Sequence, residues 1–221
     1  MKDSKTAVVA DFDGTLTTFD IGDCVSLHFG MATPAQVRAS YAEGASVSEW
    51  MSGMFGKTSA PAPGAMASFV RSRAVARPGL LELARHCRAK SIPFEIASGG
   101  LDAYIEPLLA KWGLSWVGLK CGKARWRKSG GYALRYPFGN GTLLDDYKKE
   151  RVSRLKKRGY KVIFCGDGTS DFKAAAEADY VFARYKLFHY CRKHGVPARQ
   201  LRGFGAVLKL LKSGVKAAVE A

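Results

Sequence analysis

Ala7-Val8-Val9-Ala10-Asp11-Phe12-Asp13-Gly14-Thr15 sets an apolar run of small and β-branched residues directly before two carboxylates and a glycine. Such a run reads as a strand buried on both faces. Strands of that kind belong to parallel sheets, which carry their chemistry just past the strands' carboxyl ends. Asp11 and Asp13 stand at that end. Two acids at i and i+2 would share one face of a continuing strand, but Gly14 lets the backbone turn and swings the second carboxylate over the first. One acid can then attack while the other moves protons. The plainer reading of the same residues is a turn whose acids cap a helix.

A length of 221 residues with 47% hydrophobic content supports one medium α/β domain with a substantial insertion. The charged start Met1-Lys2-Asp3-Ser4-Lys5 leads straight into the first strand, which leaves no space for a signal peptide. No apolar run approaches the roughly 18 residues of a membrane span, so no membrane partner is expected. The five cysteines, Cys24, Cys87, Cys121, Cys165 and Cys191, are odd in number and never form a Cys-x-x-Cys pair. That pattern argues against a disulfide framework or a structural zinc site and fits the reducing cytoplasm. His189, Cys191 and His194 fall together on one helix but lack the second cluster that a zinc site needs.

The net charge of +16 is the compositional outlier. Thirteen Lys or Arg residues lie between 120 and 158, against Asp145, Asp146 and Glu150. A surface of this sign attracts anions, either a phosphorylated metabolite or nucleic acid. No nucleic-acid recognition module accompanies the charge, so nucleic acid is not the expected partner.

Strand patterns cover Thr6–Ala10, Pro93–Ala97, Lys161–Cys165 and Tyr180–Ala183; helical spacing covers Gly79–Lys90, Leu101–Trp112 and Tyr147–Lys157. This alternation predicts a doubly wound parallel sheet. Phe204–Val219 reads as a final amphipathic helix. The long helical stretch between the first two strands predicts a cap at residues 17–77 inserted into a core of residues 1–16 and 78–221. Trp50, Met51, Met54 and Phe55 share one face of that cap and are expected to form its core rather than a lid over substrate. Trp116–Phe138, with aromatic and basic residues around Ser129-Gly130-Gly131, predicts a small β-hairpin flap.

Three further motifs carry chemistry. Ile96-Ala97-Ser98-Gly99-Gly100 precedes a helix starting near Leu101, so the Ser98 hydroxyl and the following amides form an anion cradle at a helix N-terminus. Lys148 and Lys149 sit near the start of a later helix, where an ammonium group can bridge a carboxylate and phosphoryl oxygens. Cys165-Gly166-Asp167-Gly168-Thr169-Ser170-Asp171 ends a third strand with two more acids. Hard oxygen ligands from separate loops suit Mg²⁺, and Asp171 is read either as a helix cap or as support for the ion. Phe19, Asp20 and Asp23 follow the first turn closely enough to face a pocket, although the two acids serve equally well as caps.

These four motifs, in this order, resemble those of the haloacid dehalogenase superfamily of aspartyl phosphatases. Asp11-Phe12-Asp13-Gly14-Thr15 corresponds to its first motif, Ser98 to the second, Lys148 to the third and Gly166–Asp171 to the fourth. Lys148 is chosen over Lys149 by its nineteen-residue spacing to Asp167. The insert after the first motif is similar to that of phosphoserine phosphatase. Met54-Phe55-Gly56, Ser98-Gly99-Gly100-Leu101-Asp102 with Pro107-Leu108-Leu109, and Val181-Phe182-Ala183-Arg184 are similar to the methionine-salvage phosphatase family. The chain departs from those patterns at Asp145-Asp146-Tyr147, where a cysteine-rich segment is usual, and at Asp20, where a longer glutamate is usual.

The resemblance implies a Mg²⁺-dependent phosphomonoester hydrolase acting on a small phosphorylated metabolite. It implies Asp11 as nucleophile, Asp13 as acid and base, and Ser98, Gly99 and Lys148 as phosphate ligands. It also implies metal binding through Asp11, Asp167, the main-chain carbonyl of Asp13 and the supporting Asp171, with Phe19, Asp20 and Gly100 toward substrate. Within that class the resemblance points to the methionine-salvage phosphatase family; the rival readings are a phosphoserine phosphatase, a phosphotransferase using the same intermediate, and a noncatalytic polyanion or RNA binder.

Overall fold

The computed structural model describes residues 5–42, 46–138 and 143–213. Its strands are β1 Thr6–Ala10, β2 Phe94–Leu101, β3 Gly118–Trp126, β4 Tyr132–Arg135, β5 Lys161–Gly166, β6 Tyr180–Ala183 and β7 Ala198–Gln200. They form one sheet in the order β4-β3-β2-β1-β5-β6-β7, parallel throughout except where β3 meets β4. The chain builds outward from β1 to one side through β2 and β3, then returns to build the other side from β5. The crevice where ligands bind in such sheets therefore lies at the end of β1, which is where Asp11 stands.

Residues Ala7 to Ala10 are fully buried, and alternate side chains enter different layers. Val8 and Ala10 pack with Ile96, Ile163 and Cys165 on one face; Ala7 and Val9 pack with Val162 and Phe164 on the other. The first face is covered by α5 Leu80–Ala89, α6 Asp102–Lys111 and α10 Gly205–Lys212. The second is covered by α7 Leu144–Lys157, α8 Phe172–Glu177 and α9 Tyr185–Lys193. A strand apolar on both sides needs both layers, and each buried valine contributes roughly 1.5–3 kcal/mol.

The remaining helices, α1 Ile21–His28, α2 Pro34–Ala39, α3 Val47–Phe55 and α4 Pro63–Arg73, occupy the stretch expected as a cap. Met51, Met54 and Phe55 are buried and Trp50 is half-buried, all in one cluster with Val8 and Ile96. The hairpin expected over 116–138 is β3 with β4, but β3 also pairs in parallel with β2, so the flap is an extension of the main sheet. Two boundaries differ from the sequence pattern. β2 continues through Ser98 to Leu101, because Leu101 is fully buried and pairs with Gly122 across a register shift. Within the described residues the last helix ends at Lys212; positions 214–219 of the longer helix expected there lie outside them.

Candidate active site

Asp11 leaves β1 with its amide still bonded to the Cys165 carbonyl at 2.9 Å, so β5 fixes where its carboxylate begins. The chain then turns at Gly14, whose φ of 69° is unfavourable for a residue with a side chain. A Cβ there would lie 2.3 Å from Asp167 Oδ2, so the turn needs glycine for space as well. Arg77 holds the turn's shape. Its guanidinium is buried, with Nε donating to the Thr15 carbonyl at 2.6 Å and Nη2 to the Gly14 and Thr17 carbonyls at 2.6 and 2.7 Å.

Around this turn the acids divide into two groups. Asp11, Asp167 and Asp171 each offer a carboxylate oxygen, and these oxygens lie within 4.8 Å of one another, the one such His, Cys or acid cluster among the described residues. Lys148, almost fully buried on α7, reaches into the cluster: its Nζ lies 3.0 Å from Asp11 Oδ1, 2.7 Å from Asp171 Oδ1 and 3.1 Å from Ser170 Oγ. Lys149 is exposed. Asp171 Oδ2 accepts the amides of Asp167 and Gly168 at 2.9 and 3.0 Å. The oxygens of Asp171 are thus occupied in shaping its own loop and holding Lys148, and they do not cap the helix that follows. Asp167 accepts the Thr15 hydroxyl at 3.1 Å through Oδ1.

Asp13 faces the other way. Its Oδ1 accepts the Ile21 amide at 2.8 Å and its Oδ2 accepts the Tyr104 hydroxyl at 2.7 Å. Gly100 makes room for this pair, since a Cβ there would fall 2.1 Å from the Tyr104 hydroxyl oxygen. Asp20 caps α1 by accepting the Asp23 amide at 2.7 Å, and Tyr41 bridges Asp20 and Asp23 through its hydroxyl at 3.0 and 2.6 Å. Phe19 presents an exposed ring, and its carbonyl accepts the Thr17 hydroxyl at 2.6 Å. Ser98 is buried, with Oγ accepting the Gly100 amide at 2.9 Å. β2 runs to Leu101, so Ser98–Gly100 form an irregular strand end, and the helix expected near Leu101 follows at once as α6 with Leu101 at its N-cap.

Burial pushes the Asp11 carboxyl up to about 7 against the pull of Lys148, and pushes Asp167 up to about 8. Asp13 is raised well above the carboxylate range by burial and by nearby Asp20; Asp20 itself is pushed up to about 6 by burial and Asp23. Burial alone would lower Lys148, and the Asp11 and Asp171 carboxylates reverse this and hold it above its ordinary value. One ammonium does not neutralise the buried carboxylates. A divalent cation fits this donor set, because it favours the ionised form of Asp11 and Asp167 and prefers hard oxygens.

Arg77, Tyr104 and Tyr41 were not marked by the sequence patterns. Arg77 precedes Pro78-Gly79 with no local signature, and Tyr104 reads as one more apolar position of an amphipathic helix.

A parallel sheet that gathers these acids and one buried lysine at its switch point defines a hydrolase class. The chain belongs to the haloacid dehalogenase-like hydrolases, a family that matches residues 8–176. Among relatives it is 29% identical over 220 residues to a 2-hydroxy-3-keto-5-methylthiopentenyl-1-phosphate phosphatase of Lysinibacillus sphaericus (strain C3-41), covering 94% of each chain. It is 25% identical over 225 residues to the polyol phosphate phosphatase PYP1 of Saccharomyces cerevisiae, covering 94% of this chain and 93% of that one. Its fold is similar to that of a substrate-bound phosphoserine phosphatase complex, with a TM-score of 0.67 at 14% identity over 96% and 99% of the two chains. No helix among the described residues is long and apolar enough to cross a membrane.

Proposed function

We propose that the protein hydrolyses phosphate monoesters of small metabolites through a phosphorylated Asp11. The observation that carries this reading is Lys148, buried and bridging Asp11 and Asp171 at 3.0 and 2.7 Å at the end of the central strand. An ammonium held there meets both the attacking carboxylate and the oxygens of an arriving phosphate. Mg²⁺, held by Asp11, Asp167 and the Asp13 carbonyl, would supply charge neutralisation for the phosphoryl group. Asp171 holds Lys148 and the Asp167 loop in place.

In the first step an Asp11 oxygen attacks phosphorus, the phosphorus–ester oxygen bond breaks, and Asp13 gives its proton to the leaving alcohol. Burial and nearby Asp20 raise the Asp13 carboxyl, which favours the protonated form that this step uses. In the second step Asp13 takes a proton from water, the water oxygen bonds to phosphorus, and the phosphorus–Asp11 bond breaks to release phosphate. In this reading the Ser98 hydroxyl and the Gly99 amide would serve as further phosphate ligands. The relatives' names make 2-hydroxy-3-keto-5-methylthiopentenyl 1-phosphate the first natural ester to assay.

Steady-state hydrolysis of p-nitrophenyl phosphate tests the reading. Activity should require Mg²⁺, disappear with EDTA, and fall to background in Asp11→Asn. Sustained turnover by purified Asp11→Asn protein would overturn it.

A further inference from the structure

A cleft of about 1150 Å³ opens between α3, the β3–β4 hairpin and residues 136–138, which follow β4. It adjoins the Ser98–Gly100 turn at three points. Tyr136 lines it and donates its hydroxyl to the Gly99 carbonyl at 2.9 Å. Ser46 and Ser48 line it, and the Val47 side chain between them reaches within 2.8 Å of where a Cβ on Gly99 would lie. Lys120 lines it too, and its register partner on β2 is Ala97, the residue before Ser98. That pairing sets the two backbones about 4.8 Å apart.

The charged side chains of this cleft are chiefly cationic. Lys120, Lys123 and Arg135 contribute to it, against Glu49 as the one carboxylate among its described lining residues. Lys123 is neutralised by Asp102 and Glu106, each at 3.2 Å. Lys120 and Arg135 have no ion-pair partner among the described residues. Leu119, Leu134, Pro137 and Phe138 line the same cleft and would suit the carbon chain of an ester, while two cations without an ion-pair partner among the described residues offer an anion charge-assisted hydrogen bonds.

We propose that this cleft binds a second anionic group of the substrate, a carboxylate or another phosphate, through Lys120 and Arg135. The inference rests on the phosphatase reading and adds to it a preference, among small esters, for those charged at both ends. The phosphate to be cleaved lies on Asp11 and Lys148, and the chain of the ester passes Tyr136 toward Lys120. The overall charge of +16 draws such anions in, while these two residues select among them.

The test compares kcat/KM on matched three-carbon esters in the presence of Mg²⁺: glycerol 1-phosphate, 3-phosphoglycerate and 1,3-propanediol bisphosphate. The uncharged-tail methylthio ester is assayed alongside. At least one doubly charged ester should exceed the neutral ones by about tenfold or more, chiefly through KM, and which one does so identifies carboxylate or phosphate as the ligand. The preference should collapse in the Lys120→Ala/Arg135→Ala protein. It should survive in Lys157→Ala/Arg192→Ala, which removes equal charge from exposed positions on α7 and α9. Calorimetric titration of Asp11→Asn protein with the same esters should give the same order of affinity without any turnover. Equal handling of neutral and charged esters in both assays, or a preference that outlives the loss of Lys120 and Arg135, would overturn the proposal. A wild-type protein that binds the charged esters selectively but hydrolyses none would leave the cleft assignment standing and sink the phosphatase reading.

Discussion

Tyr104 and Arg77 act on the two halves of one turn. Arg77 ties down the carbonyls of Gly14, Thr15 and Thr17, so the backbone that presents Asp13 is fixed by a buried cation. Tyr104 then fixes the Asp13 side chain, its hydroxyl donating to Oδ2 at 2.7 Å while the Ile21 amide holds Oδ1 at 2.8 Å. A carboxyl that must deliver a proton to a leaving oxygen needs this restraint, since proton transfer requires hydrogen-bond reach. Tyr104→Phe removes the restraint and keeps the packing. Its effect should depend on the leaving group: kcat on an alkyl phosphate should fall by about tenfold or more, within the 10²-fold or greater contribution of a positioned acid. kcat on p-nitrophenyl phosphate, whose leaving group departs without a proton, should change little. An equal loss on both substrates would mean that Tyr104 only maintains packing.

At the scale of elements, local patterns in the sequence were enough to find β1, β5 and β6 and the order of their helices, because burial on both faces writes itself as unbroken apolar runs. The acids at the ends of those strands were legible for the same reason, the strand ends being visible. Contacts made across the fold were not. Arg77 reaches Gly14 over 63 positions and Tyr104 reaches Asp13 over 91, and no periodicity marks either partner. The hairpin falls between the two cases: its turn was readable from Ser129-Gly130-Gly131, but its pairing with β2 and its grip on residues 56–61 were not. That grip is extensive. Arg127 donates to the Gly56 carbonyl, Tyr132 donates to the Pro61 carbonyl at 2.9 Å, and Gly131, at a φ of 71°, passes so close that a Cβ would lie 2.5 Å from the Lys57 carbonyl oxygen. Gly131→Ala should therefore lower stability by roughly 1–3 kcal/mol through left-handed strain and loosen the hairpin from residues 56–61. Urea denaturation measures the first effect and faster proteolysis of the hairpin the second. Since the hairpin walls the cleft beside Gly99, KM should rise more than kcat falls. Wild-type stability in this variant would show that the close approach is not needed.

Across the whole molecule, a chain of net charge +16 buries a knot of carboxylates at its centre, and this opposition makes its stability depend on pH and on metal. Asp20, Asp11 and Asp167 have an ordinary value of 3.8 and are raised in the fold to about 6, about 7 and about 8, chiefly by burial. Between those limits the folded protein keeps protons that the unfolded chain has released. The resulting stabilisation is full below about 3.8 and is lost as pH rises through about 6, 7 and 8. Metal-free protein should therefore melt at a higher temperature at pH 6 than at pH 8, by about 3 °C or more for a chain of this size. Mg²⁺ binds the ionised acids, so its stabilising effect should be larger at pH 8 than at pH 6, where protons compete for the same oxygens. Asp11→Asn removes one of the buried charges and should raise the melting temperature of metal-free protein at pH 8 while shrinking the gain from Mg²⁺. Thermal melts at both pH values, with Mg²⁺ or EDTA, read all three effects. A metal-free melting temperature that climbs from pH 6 to pH 8, or an Mg²⁺ increment equal at both, would mean that the buried acids are already compensated within the fold.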